Sequence, residues 1–387
     1  MKKIAIVCVT YNRLNSLKRL LSSLECMYFD DIPQSLIISV DKSNTSEVED
    51  FAKSYNWRFG DYKCITHETN LGLRKHILSI GTLLDSEYDA VIVLEDDITV
   101  SPNMIRYARA CVDKYYDDEL IAGISLYRPV VNTNCMLPFD PVKSEYDVFL
   151  SNIAMSWGQI WLKNQWHSFV GWYNENCEDF NIEYLPQNIN RWNKKSWLKY
   201  HIRYCIENNK YFVYPYFGMS TNNNEAGVHA SSSDTLYQSI LLGLPCSSFN
   251  LPDSSLIKVR YDGFMEPKFL STYLGKKEED ICVDILGSKP SCLYKKYLLT
   301  TKSLPYKVVK RFDLALRPVE MNIIFDRCSI DGRLVLYDTS EKGTNPNIKN
   351  DNLMRYKYYF GCSFYQIHKM LSTTRIAKFL VKSILRK

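Results

Sequence analysis

The chain opens with an unbroken apolar, β-branched run from Ile4 to Val9, after which Leu14, Leu17, Leu20, Leu21 and Leu24 recur at helical spacing. The pattern predicts strand, loop, helix. Leu36 to Val40 is a second short apolar run ending at Asp41, and Leu73, Ile77, Ile80 and Leu84 follow a helical period across 72–84. Ala90 to Leu94 is another apolar run, and it stops abruptly at Glu95-Asp96-Asp97. Ser101-Pro102 reads as the N-cap and first residue of a helix running to about Tyr116. Buried strands alternating with amphipathic helices are the signature of an open α/β sheet with crossover helices. Ligands of such sheets gather at the carboxyl ends of the strands. Thr10-Tyr11-Asn12-Arg13, Asp41-Lys42-Ser43-Asn44 and Glu95-Asp96-Asp97 are therefore expected to face one crevice.

A chain of 387 residues can hold two or three domains, or one large core with an appendage. The formal charge of +5 is modest, and no stretch before the C-terminal region is basic enough for a nucleic-acid groove, so no nucleic-acid partner is expected. Twelve cysteines lie scattered from Cys8 to Cys362 without a C-x-x-C pair or clustered histidines. They read as small buried hydrophobes in a reducing compartment rather than zinc ligands. No window approaches 18 apolar residues, and the apolar run after Met1-Lys2-Lys3 is short and lacks a small-residue cleavage site. The expected location is cytoplasmic, soluble or peripheral to a membrane.

Carboxylates directly after a buried strand suit a divalent cation, because hard oxygen ligands match magnesium or manganese and one or two of them suffice beside phosphate oxygens and water. A cation so held neutralises charge building on a leaving diphosphate. By itself the run reads equally well as a solvated turn, as Asp30-Asp31 and Asp117-Asp118 do. Its neighbours change the reading. Val9-Thr10-Tyr11-Asn12-Arg13, Asp41, Asn70-Leu71-Gly72-Leu73-Arg74 and Val93 to Ile98 appear in one order. Ser156-Trp157-Gly158-Gln159-Ile160-Trp161 follows, and then Pro215, Ser220-Thr221-Asn222 and Gly227-Val228-His229. This ordered set, over roughly residues 3–230, resembles the GT-A fold nucleotide-sugar glycosyltransferases, particularly N-acetylglucosaminyltransferase I and its bacterial family-2-like relatives.

The resemblance implies a Rossmann-like mixed sheet flanked by helices, with an appended C-terminal region. It divides the chain into a nucleotide-sugar-binding half over 1–105, an acceptor-binding half over 106–250 and an accessory region over 251–387. Six of the seven tryptophans fall between Trp157 and Trp197, inside the expected acceptor half. By resemblance, Thr10, Tyr11, Arg13, Asp41, Arg74, Glu95 and Asp96 bind the donor, a UDP-sugar being favoured. Asp97 and His229 hold the Mn2+ or Mg2+, and Trp157 and Trp161 form a platform for the acceptor saccharide. Plain alternatives stand beside these roles: Arg13 as a solvated helix-entry cation, Asp41 as a turn former, Gly72 as a helix entry and at least one tryptophan as core. The family's inverting mechanism places a carboxylate base shortly before the Trp-Gly segment, but Phe149 to Ser156 contains none. Glu145, Asp147, Glu178, Asp179 and Glu183 are the nearest carboxylates, with Asp147, Glu178 and Asp179 the candidates.

From Asn352 onward the chain has eight Lys or Arg and no Asp or Glu, and Ile376, Phe379, Leu380 and Ile384 share one helical face. Residues 372–387 thus read either as a basic amphipathic helix on an anionic membrane surface, suiting a lipid-linked acceptor, or as a helix docked on the core. The expected activity is sugar transfer in surface polysaccharide biosynthesis. The alternatives are a metal-dependent nucleotidyltransferase or phosphohydrolase, and a non-catalytic saccharide-binding assembly protein.

Overall fold

The computed structural model describes residues 2–223, 235–344 and 357–361. Its first part alternates β1 (Ile4–Thr10), α1 (Leu14–Glu25), β2 (Ser35–Val40), α2 (Glu47–Ser54), β3 (Tyr62–Thr66), α3 (Leu73–Ile80), the single turn α4 (Leu83–Ser86) and β4 (Ala90–Glu95). Successive strand residues point to opposite faces, and both faces of β1 and β4 are covered. Ile4, Ile6 and Cys8 join Ile92 and Leu94 in one core layer with Leu17, Leu20, Leu21 and Leu24 of α1. Ala5, Val7 and Val9 join Val91 and Val93 in the other layer, against Ile77 and Ile80 of α3. Burial on both sides is why these strands read as continuous apolar runs.

The chain continues through β5 (Ile98–Val100), α5 (Met104–Tyr115), β6 (Ile121–Ser125), the small hairpin of β7 (Val131–Asn132) and β8 (Leu137–Pro138), β9 (Val148–Ser151) and β10 (Gln159–Leu162). Next come α6 (Lys163–Glu175), α7 (Gln187–Arg191), α8 (Leu198–Glu207), β11 (Tyr211–Pro215), β12 (Ser220–Asn222) and β13 (Arg260–Tyr261). Nine strands form one mixed sheet in the order β13-β9-β11-β6-β10-β4-β1-β2-β3. The mixed α/β sheet flanked by helices is the expected fold class. β1, β2, β3 and β4 are mutually parallel, whereas β10 runs antiparallel to both β4 and β6. Ser101 Oγ accepts a hydrogen bond from the Asn103 N–H at 3.1 Å, but Pro102 and Asn103 form a turn and α5 starts only at Met104.

β13 carries the large sheet to residue 261, past the boundary expected at 250. Beyond it, α9 (Leu270–Tyr273), β14 (Ile281–Asp284), β15 (Tyr297–Thr300), β16 (Tyr306–Phe312), α10 (Met321–Ile324) and β17 (Leu334–Lys342) build a module around a four-stranded sheet ordered β14-β15-β17-β16. Ile281, Val283, Leu299, Phe312, Leu334 and Leu336 form its core. No helix among the described residues is long and apolar enough to cross a membrane, and 372–387 lie outside the described residues.

The aromatic-rich section corrects one expectation. Trp161 is completely buried in β10, stacked on Trp166 at 3.8 Å, edge-on to Trp197 at 5.7 Å, with its indole N–H donated to Gln159 Oε1 at 2.7 Å. It is a core residue and presents no face to an acceptor. Trp157 is only half-buried, packing on Tyr127 and Tyr237.

Two outcomes follow from this packing. Trp161→Ala should lower unfolding stability by about 3–5 kcal/mol in a denaturant titration, and Trp157→Ala by clearly less, because only the first leaves a cavity in a closed core. Glu320, buried with Tyr261 Oη donating to Oε1 at 3.2 Å, has its carboxyl raised from 4.5 to about 7 chiefly by burial. The folded state keeps this proton where the unfolded state has released it, so the contribution of protonated Glu320 is complete below about 4.5 and is lost as pH rises toward about 7. Denaturant unfolding at pH 5 and pH 8 should show Glu320→Gln gaining on the wild type by on the order of 2–3 kcal/mol across that interval. A pH-independent difference would contradict the assignment.

Candidate active site at the carboxyl edge of the sheet

From β1 the chain winds outward through β2 and β3, then returns to place β4 on the other side of β1. This reversal opens a crevice outside the carboxyl ends of β1 and β4, where open α/β sheets bind ligands. The register sets Val9 opposite Glu95, which brings Thr10 beside Asp96. Thr10 Oγ1 donates to Asp96 Oδ2 at 2.8 Å, and the Arg13 guanidinium, at the entry to α1, donates to Asp96 Oδ1. Arg13 also reaches Asp97 Oδ2 at 3.3–3.4 Å. The two polar clusters that end β1 and β4 therefore meet as one charged group.

β5 pairs antiparallel with β12, with Asn222 opposite Ile98, and this two-stranded strap carries the acidic run. Asn223 donates its backbone N–H to the Asp97 carbonyl at 2.8 Å and its Nδ2 at 3.2 Å, and takes a hydrogen bond from Thr99 Oγ1 at 2.8 Å. Ser156, ahead of β10, hydrogen-bonds the Glu95 carboxylate. Sequence reasoning did not single out Asn223 or Ser156. Their only sequence signal was proximity to the Ser-Thr-Asn and Trp-Gly segments. Gly158 adopts φ +97°, and a Cβ there would stand 2.9 Å from Ser220 Oγ, so β10 and the strap pack backbone to side chain at this point.

Burial, with Asp97 and Asp96 adding like charge, raises the Glu95 carboxyl to about 8. Burial also pushes Asp96 above its ordinary value, and Arg13 and Thr10 restrain that rise. Among the described residues, Asp97 Oδ1 is buried without a hydrogen-bond partner, and Asn222 Oδ1, on the strand residue paired with Ile98, is likewise buried and unpartnered. Unpaired buried carboxylate and amide oxygens are hard donors that suit Mg2+ or Mn2+, so the residues present fit such an ion. Among the described residues no cluster of three or more His, Cys, Asp or Glu is arranged to hold a metal. The second ligand expected from sequence, His229, lies outside the described residues.

The remaining candidates are placed as follows. Tyr11 is exposed at the tip of the first loop. Asp41 is buried at the end of β2, with Oδ1 accepting from the Lys42 and Leu71 N–H groups at 2.9 and 2.8 Å and Oδ2 from the Gly72 N–H at 2.9 Å. It pins the segment leading into α3, where Gly72 takes φ +72°. Arg74 points elsewhere: it donates to Tyr173 Oη at 2.6 Å, the Lys194 carbonyl at 2.8 Å and the Cys177 carbonyl at 3.1 Å, and lies over the Tyr200 ring. It shares no partner with Asp96 or Asp97 and ties α3 to the segments flanking α7.

The candidate bases are not gathered with the acidic run. Asp179 is bound to the fully buried Lys199 at 2.8 Å, which holds its carboxyl below the ordinary range and leaves it a poor proton acceptor. Asp147 precedes β9 and accepts the Asn250 N–H at 2.8 Å. β9 lies four strands from β4, about 19 Å at the usual strand spacing. Glu178 is exposed beside Asp179.

No family model matches the sequence, and no curated protein matches it. Among solved structures, the chain is similar to S. aureus TarS 1–349 in complex with UDP-GlcNAc, at 16% identity over 60% of this chain and 61% of that one, with a TM-score of 0.38. It is similar to GalNAc-T7 with UDP, GalNAc and Mn2+ at 17% identity over 56% and 43%, TM-score 0.38. The mannosyltransferase PcManGT from Pyrobaculum calidifontis, in complex with GDP-Man and Mn2+, matches at 10% identity over 49% and 50%, TM-score 0.30. The chain thus spans less than two thirds of the length of each of these structures.

Proposed function

We propose that this chain is a GT-A type glycosyltransferase that moves a hexosyl or N-acetylhexosaminyl group from a nucleotide diphosphate, a UDP-sugar being favoured, to a saccharide acceptor. The observation that supports it most is the convergence of Thr10, Arg13, Asp96 and Asp97 in the crevice outside β1 and β4, with Asp97 Oδ1 buried and unpartnered among the described residues. Asp97, supported by Asn222, would hold a Mn2+ or Mg2+, which when bound supplies neutralisation of the leaving diphosphate. Thr10 and Arg13 orient Asp96 and restrain the rise that burial imposes on its carboxyl, so that it would face the donor as a fixed hydrogen-bond acceptor. Asp41 holds the 70–72 backbone against the same edge, which shapes the crevice wall before any ligand arrives. Trp157, half-buried beside the strap, is the aromatic placed to border an acceptor sugar. The basic amphipathic pattern of 372–387 supports a setting in surface polysaccharide assembly at the inner face of a membrane.

Purified protein incubated with a panel of UDP- and GDP-sugars should bind or hydrolyse at least one donor in the presence of Mn2+ or Mg2+. EDTA or Asp97→Asn should depress that turnover by roughly 100-fold or more, since each removes several kcal/mol of charge stabilisation. The proposal fails if no donor binds and Asp97→Asn behaves as the wild type.

A further inference from the structure

Arg13 is shared unequally between two carboxylates. Asp96 is fully engaged, with Thr10 Oγ1 on one oxygen and Arg13 on the other, whereas Asp97 receives Arg13 only at the long distance of 3.3–3.4 Å and only on Oδ2. Asp97 Oδ1 is buried and unpaired among the described residues. A dication held by Asp97 would be repelled by the Arg13 guanidinium, in a half-buried site where screening is weak. Arg13 cannot withdraw far, because its bond to Asp96 anchors it. A polyanion sharing the site would relieve that repulsion, because Arg13 presents a fork of donors suited to phosphate oxygens.

We infer that Arg13 makes cation and nucleotide-diphosphate binding mutually dependent: it suppresses capture of the cation alone and rewards capture of the two together. The geometry gives Arg13 this positioning role through its anchor on Asp96. Coupling of this kind is reciprocal, so the same residue raises diphosphate affinity when the cation is present. The inference rests on the reading of Asp97 as the cation ligand.

The test measures Mn2+ affinity by titration calorimetry and by the loss of the free-ion EPR signal, with and without UDP, on the full chain. Arg13→Gln keeps a hydrogen-bond donor toward Asp96 and removes the charge. It should bind Mn2+ alone about 5- to 50-fold more tightly than the wild type, while the enhancement of Mn2+ affinity by UDP shrinks by a similar factor. Arg13→Lys, which retains the charge, should stay close to the wild type in both measurements, and near-ultraviolet circular dichroism checks that each variant keeps its packing. A tighter apo affinity is a change that mere structural damage does not produce. If Arg13→Gln binds Mn2+ alone no better than the wild type, the coupling role is wrong. If Asp97→Asn binds Mn2+ as the wild type does, the cation reading itself is wrong.

Discussion

Three consecutive carboxyl groups at the end of a buried strand repel one another where water screens poorly, and a single guanidinium offsets that repulsion. Arg13 touches Asp96 and Asp97 and lowers Glu95 toward its ordinary range against the burial and the like charges that raise it. The contact is possible only because β1 and β4 are parallel neighbours in a register that sets Val9 against Glu95. A slip of one residue would turn every side chain of β4 to the opposite core layer, so the hydrophobic alternation of the strand and the charge pairing at its tip specify the same register. Core packing and site geometry are thus one constraint, read at two ends of a strand.

Strands buried on both faces made the first half of the chain legible: β1 and β4 are continuous apolar runs up to their last residue, β2 is apolar but for Ser35 and Ser39, and all three end at the polar clusters. β3 escaped notice because it lies at the sheet edge, and its half-exposed Tyr62–Thr66 carries no apolar run to detect. The partners that hold the acidic run, Ser156 and Asn223, were illegible for a different reason. Asn223 meets Asp97 across 126 residues, and nothing local in either segment encodes that encounter. Tryptophan was ambiguous in kind: Trp157 and Trp161 look alike in sequence, yet four steps along the chain separate a half-buried loop position from the centre of a core layer. Arg74 shows the same limit, because a cation at a helix entry reads equally as a phosphate ligand or as a clamp, and only its three protein acceptors decide.

The C-terminal module sets charged groups beside its apolar core. Lys289 pairs with Asp262, Lys302 with Asp284 at 2.9 Å, and Glu266 accepts the Leu286 N–H at 2.7 Å. Asp262 and Glu266 follow β13 of the large sheet, whereas Leu286 and Lys289 belong to the module, so the Lys289–Asp262 pair and the Glu266–Leu286 bond cross from one sheet to the other, while Lys302–Asp284 lies within the module. Buried ion pairs add little net stability, but removing one partner leaves the other uncompensated, which fixes how two surfaces meet more strictly than apolar packing does.

That strictness matters for the edge of the large sheet. β13 is its outermost strand on one side, only two residues long, and a bare edge is a template for unwanted pairing. Tyr261 on this strand is completely buried, accepts the Val142 N–H at 3.0 Å and donates to Glu320 of the module. Its ring packs edge-on with Phe139, Phe149 and Phe269. A two-residue strand cannot hold itself in place by its ladder bonds to β9 alone, so the module supplies both the hydrogen-bond partner and the cover that keep it there. The residues after 262 are therefore part of what closes the large sheet, and an edge left open by their loss would expose β9 next.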